Sequence, residues 1–224
     1  MFITLEGTEG SGKTTQVKAI ERKFSELGLL YVTTREPGGT RIGKKIREIL
    51  LNPDHIEIKP LTELLLYCAD RVQHIEEIIR PALQDNKIVI CDRFYDATVA
   101  YQGYARKINM DLISSLHHSL FGNIQPDLTL LFDLPVEVGL KRTQQRIKIH
   151  SNQILEYRFE NETLNFHHNV RHGYLELADH NPHRFVIIDA NSTPENVTQM
   201  VWTAINNKFH HEFEKRLELS INTI

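Results

Sequence analysis

"GTEGSGKTT", residues 7–15, decides how the rest of this chain is read. It follows a short β-branched run, "FITLE" (2–6), and opens a segment of helical periodicity, 13–27. Gly7-Thr8-Glu9-Gly10-Ser11-Gly12-Lys13-Thr14 fits G-x-x-x-x-G-K-[ST] without a mismatch. The glycines let backbone N–H groups converge on phosphate oxygens, and the helix behind them adds its positive end. Lys13 can reach β- and γ-phosphates, and the Thr14 hydroxyl can sit on Mg²⁺. A chance glycine-rich turn has no need of a strand before it and a helix after it. The stretch from Gly7 to Thr15 is therefore the expected ATP-binding loop. Its odd member is Glu9, a carboxylate inside a loop built to hold anions.

Working outward, four more apolar runs resemble the first: "LLYVTTR" (29–35), "KIVICD" (87–92), "LTLLFD" (128–133) and "RFVIIDA" (184–190). Continuous rather than alternating apolarity predicts strands buried on both faces, as in a parallel sheet. Helical spacing separates them, through Ile42, Ile46, Ile49 and Leu50, through Leu61 to Ile79, and through Leu112 to Leu120, where Gly122 offers a C-cap. Pro135 and Pro194 stand where first helical turns would begin, and Thr193 can cap the second. Alternating strands and helices predict a doubly wound α/β sheet, with ligands beyond the carboxyl ends of its strands.

The 224 residues are expected to form one domain, with a peripheral charged helix over about 207–224. Lys+Arg 26 against Asp+Glu 29, a net charge of -3, speak against a nucleic-acid partner. Cys68 and Cys91 lie in apolar stretches without metal-type spacing, which favours a reducing compartment. The start lacks a signal-peptide pattern and no apolar run is long enough to span a membrane. A soluble, cytoplasmic protein without a membrane partner is the expectation.

"VICDRFYD" supplies the next diagnostic strand end. Asp92 closes a buried run where an acid can hold Mg²⁺, and Arg93 beside it can grip a phosphate as a fork. An ordinary solvated Asp–Arg pair is the alternative. Groups for a second nucleotide also occur. Tyr67 and Arg71 are four apart and share a helix face, an aromatic ring and a guanidinium suited to a flat base. Thr98, Tyr101 and Gln102 share another face if that stretch is helical. "TREPGGT" breaks at Pro37-Gly38-Gly39 and brings Arg35 and Glu36 to the same edge, with Arg47 on the following helix. Taken singly, Tyr67 can equally be core, and Arg47 or Arg71 solvated.

"FITLEGTEGSGKTTQ", "TREPGGT", "ADRVQHIEEIIRPAL", "CDRFYDATVAYQGYAR" and "PDLTLLFDLPVEVGLKR" together resemble bacterial thymidylate kinases. The similarity runs to about residue 146 and resumes at "VRHGYLELA". It implies a P-loop NTPase fold, a five-stranded parallel sheet with helices on both faces and a mobile lid over about 142–162. It also implies γ-phosphoryl transfer from Mg·ATP to dTMP, and a homodimer. By the same resemblance Arg71 meets the thymine edge, and Arg47 and Arg93 surround the acceptor phosphate. Tyr67 takes the place of a usual stacking Phe, while Thr98 and Gln102 read the base. Tyr101 lies under the deoxyribose, and Pro37 and Glu36 line the same pocket. Glu9 then faces the acceptor, near the sugar 3′-hydroxyl, rather than ATP.

Two clustered nucleotides need additional positive charge. The family carries its catalytic arginine either in the phosphate loop or in the lid; Gly10 stands at the loop position, so the lid must supply it. Arg142 and Arg146, four apart on the helix after Pro135, and Arg158 are the candidates, with Arg158 favoured. The lid departs from the family pattern R-G-x-x-D-R-[IF]-E: "RIKIHSNQILEYRFENE" is longer, lacks the glycine and has Tyr157 for the Asp. In "DANSTPENV", Asn191 and Ser192 are candidates for the adenine side. The paired histidines do not face one another on a helix and point to no zinc site, and no catalytic histidine is sought. Kinases for UMP, GMP or a free nucleoside, and a non-catalytic nucleotide switch, are the competing readings.

Overall fold

The computed structural model describes residues 1–149 and 158–221. Its five strands are β1 (Phe2–Gly7), β2 (Tyr31–Arg35), β3 (Ile88–Asp92), β4 (Leu128–Asp133) and β5 (Phe185–Asp189). All pair in parallel, in the order β2-β3-β1-β4-β5. Each matches one of the apolar runs. Chain travel reverses around β1, which opens a crevice beyond the carboxyl ends of the central strands.

The strands' period of two divides their side chains between two layers. Ile3, Leu5, Ile90 and Leu130 pack with α1 (Lys13–Glu26) and α9 (Pro194–Ile221). Phe2, Val89 and Cys91 face the opposite layer, built from α3 (Pro60–His74), α4 (Arg80–Gln84) and other segments. A π-helical stretch, Ile75–Ile79, joins α3 to α4, and α6 (Met110–Phe121) completes this side. Both cysteines are buried free thiols. The central strands are buried on both faces, as their runs predict. The edges differ: β2 is half-buried, and Ile187 of β5 is 53% exposed.

The remaining helices frame the crevice. They are α2 (Arg41–Leu51), α5 (Tyr95–Thr98) running into a second π-helical stretch (Val99–Ala105), α7 (Val136–Ile149) and α8 (Leu164–His180). Helix α8 packs against the second π-helical stretch; Tyr101, Phe166, Val170 and Tyr174 form a separate apolar cluster there.

The tail requires a correction. The stretch expected to be peripheral from 207 contributes Phe209 and Phe213, both buried, with Phe213 stacked on Trp202 at 6.2 Å and edge-on to Phe24. Spaced four apart, the two rings share one face of α9 and extend the core. The expected lid falls partly on residues 150–157, and the end of the tail on 222–224; both lie outside the described residues.

Candidate active site

A cleft of about 510 Å³ opens at the carboxyl edge of the sheet, walled by the loop after β1, the ends of β2 and β3, α3 and α7. On its loop side, Glu9 through Thr15 line it, together with Asp92. Gly7 and Thr8 do not; their carbonyls each accept from Lys13 Nζ at 2.9 Å, and Ser11 Oγ accepts at 3.0 Å. Burial, seconded by the Arg93 charge, pushes the Lys13 ammonium down to about 8. The loop lies against α7 through two glycines. A Cβ on Gly10 (φ +70°) would stand 2.1 Å from Gly139 O, and one on Gly139 2.4 Å from Glu9 O. Helix α7 therefore sits directly on the phosphate loop.

Across the cleft, the buried Arg71 is held by three acceptors. Its Nε donates to Glu36 Oε2 at 2.7 Å, and one terminal nitrogen donates to Phe94 O and Thr98 Oγ1. The other terminal nitrogen is buried and has no hydrogen-bond partner. Glu36 also pairs with His74 Nδ1 at 2.8 Å, and Arg47 donates to Pro37 O at 2.9 Å. The Glu36–Pro37 peptide is cis, which turns the chain at the end of β2. Asp70 Oδ1 accepts from Gly38 N in the same turn. Tyr67, Thr98, Tyr101 and Gln102 line this half of the cleft, and the Gln102 amide nitrogen donates to Glu63 at 2.8 Å.

Glu9 joins the two halves. Arg93, in a left-handed conformation (φ 70°), donates to Glu9 Oε1 at 3.3 Å and to the Tyr174 hydroxyl at 3.0 Å. The Tyr101 hydroxyl donates to the same Glu9 oxygen. Burial works to raise the Glu9 carboxyl, but His167, Arg93 and Tyr101 outweigh it and hold the group down at about 2. The carboxylate thus stays ionised and faces Arg93 and Tyr101.

Of the arginines expected in a lid, Arg142 and Arg146 line the cleft. Arg142 donates to Ala190 O at 3.0 Å, while Arg146, 54% exposed, lies 3.9 Å from Glu160. Arg158 does not line it. Its Nε donates to Leu50 O and its terminal nitrogen to Glu63 Oε2 at 2.7 Å, leaving it 8% exposed. A fully buried carboxylate needs compensating charge, and Glu63 draws Arg158 and Arg106 onto itself. Asn191 and Ser192 are also off the cleft wall; Asn191 N and Ser192 Oγ are tied to the Asp189 carboxylate.

The thymidylate kinase family model matches residues 5–201. The chain belongs to the thymidylate kinase family. A thymidylate kinase of Desulfosudis oleivorans is 54% identical over 85% of this chain and 89% of the relative. One from Syntrophotalea carbinolica is 48% identical over 92% and 95%. Among solved structures, a thymidylate kinase from Ehrlichia chaffeensis superposes with a TM-score of 0.71 at 34% identity, covering 92% of this chain and 98% of its own.

Three residues of this thymidylate kinase family site were not singled out from the sequence. Glu63 organises Gln102, Arg106 and Arg158; Glu160 lines the cleft, its carboxyl raised to about 7 by burial and then by the Glu9 charge. His167 stands beside Glu9, with Nδ1 3.4 Å from Oε2. A signal for His167 exists in its register: His167, Val170 and Tyr174 lie at i, i+3 and i+7, so the histidine belongs to the buried stripe of α8.

Proposed function

We propose that this chain transfers the γ-phosphoryl group of Mg·ATP to dTMP, giving dTDP and ADP. The observation that carries the reading is Glu9: a phosphate-loop residue whose carboxylate is held by Arg93, at the end of β3, and by Tyr101 of the second π-helical stretch. One loop then serves two nucleotides, the donor through its backbone and the acceptor through one side chain.

Lys13 and the loop amides hold the donor phosphates. Arg93 and Arg47 take the acceptor phosphate, Arg71, Thr98 and Gln102 the thymine edge, and Tyr67 stacks on the base. The Tyr101 ring lies where it crowds a ribose 2′-hydroxyl, with Pro37 and Glu36 closing the pocket. Thr14 and Asp92 both line the cleft, and their hard oxygens are of the type that holds Mg²⁺. When bound, that ion neutralises charge developing on the phosphates. Phosphoryl transfer asks mainly for positioning and positive charge, and Arg146 is the lid group best placed to add it. Arg142, bonded to Ala190 O, belongs to the adenine side, and Arg158 to the wall that holds Glu63.

A homodimer is part of this reading. Leu61, Leu65 and Val72 are exposed along one side of α3, an apolar stripe suited to a second copy. A cytoplasmic location also belongs to it; among the described residues no helix is long and apolar enough to cross a membrane.

The test is ADP release from Mg·ATP with dTMP, dUMP, UMP, GMP and thymidine offered separately. Strong turnover with dTMP, weaker with dUMP and none with thymidine is expected. Turnover with another acceptor and none with dTMP would overturn the pocket assignment.

A further inference from the structure

His167 is 1% exposed, and neither of its ring nitrogens makes a hydrogen bond. The group nearest to pairing with it is Glu9 Oε2, 3.4 Å from Nδ1 and likewise buried without a hydrogen-bond partner. The other Glu9 oxygen is engaged by Tyr101 and Arg93. Each orphaned buried polar atom costs about 1–3 kcal/mol. Facing orphans with complementary chemistry, an N–H and a carboxylate oxygen, lose that penalty together if the gap closes by a few tenths of an ångström to ordinary hydrogen-bond length.

We propose that His167 is a positioning residue for the acceptor sugar. Its Nδ1–H holds Glu9 Oε2, which fixes the plane of the carboxylate while Oε1 stays with Tyr101 and Arg93. Glu9 is then presented in one orientation to the sugar 3′-hydroxyl, and the same clamp steadies the Tyr101 ring beneath the sugar. The inference rests on the reading of this half of the cleft as the dTMP site. It gives α8 a direct part in acceptor binding, since His167 and Tyr174 reach Glu9 and Arg93 from one helix face.

The experiment compares His167→Asn, which keeps a donor near the Nδ1 position, with His167→Phe, which keeps only the ring volume. Kinetics are measured with dTMP and with its 3′-deoxy analogue, alongside melting temperatures. His167→Phe should raise KM for dTMP roughly tenfold with a smaller change in kcat, as expected for a lost hydrogen bond to a charged group. The 3′-deoxy analogue should show little change, and His167→Asn should recover most of the loss. Equal losses with both acceptors, or no recovery in a stably folded His167→Asn, overturn the proposal. A second readout does not depend on dTMP being the substrate. In ¹⁵N-histidine spectra, Glu9→Gln should move the His167 ring resonances, identified by their loss in His167→Asn. Unmoved resonances overturn the contact itself, whereas a moved resonance without dTMP turnover overturns only the acceptor reading.

Discussion

Tyr101 and Glu9, 92 positions apart, share a hydrogen bond that ties the second π-helical stretch to the phosphate loop. Tyr101→Phe removes the hydroxyl and leaves the ring. The loss of a hydrogen bond to a carboxylate, about 1.5–3 kcal/mol, should lower kcat/KM for dTMP about 10- to 100-fold. On the proposed acceptor placement, discrimination against the ribonucleotide analogue should survive, because the variant keeps the ring. Parallel kinetics with the deoxyribo- and ribonucleotide acceptors check this; a collapse of discrimination would show that the hydroxyl, not the ring, excludes the ribose.

Arg146 and Arg158 should fail in different ways. Arg146 is half exposed on the cleft, so Arg146→Ala should cost about 10³-fold in kcat with an unchanged melting temperature. Arg158 compensates the buried Glu63, which retains Arg106 and Gln102 when Arg158 is removed. Arg158→Ala should therefore lose about 1–3 kcal/mol of stability, with kcat within a few-fold of the parent. Calorimetry and single-turnover rates on both variants decide between them, and a reversed pattern would return the catalytic charge to Arg158.

Arg71 and Glu36 form a buried ion pair whose partners cannot be removed singly at low cost. Arg71→Met removes the arginine from the Glu36 carboxylate, which His74 still meets, and should destabilise by about 3–5 kcal/mol. Adding Glu36→Gln should recover part of that loss. Urea unfolding of the single and double variants gives the coupling directly, and strict additivity would contradict the pairing.

Asp70 carries a pH-dependent cost. Burial, and next the Glu36 charge, raise its carboxyl from 3.8 to about 6. Because the folded value lies above the unfolded one, the contribution of this group to stability is complete below pH 3.8 and is lost as pH rises through 6. Asp70→Asn retains an oxygen for Gly38 N and has nothing to ionise. Its stability relative to the parent should therefore improve by about 2 kcal/mol between pH 4 and pH 7. Urea midpoints at the two values test it, and a gap that narrows on going to pH 7 would refute it.

What the sequence made legible is local. Five apolar runs became five strands because burial on both faces leaves no polar alternation, and the phosphate loop was readable because its backbone geometry demands glycine at fixed offsets. Tyr67, Arg71, Thr98, Tyr101 and Gln102 converge because two helices present them at helical spacing toward one sheet edge. What stayed hidden depends on partners distant in the chain. Glu63 looks like any first-turn acid of a helix, yet it captures Arg158 from 95 positions away. The His167-His168 pair reads in sequence only as a poor chelate, whereas α8 turns His167 inward against Glu9. Phe209 and Phe213 sit among charges in sequence, and only the position of Phe24 and Trp202 makes them core.

The reciprocal contact of Gly10 and Gly139 restricts where this lineage can move its chemistry. Placing an arginine at position 10 is not one mutational step, since even the first carbon of a side chain would collide with the α7 backbone. Helix α7 would have to shift first, and Arg142 and Arg146 travel with it.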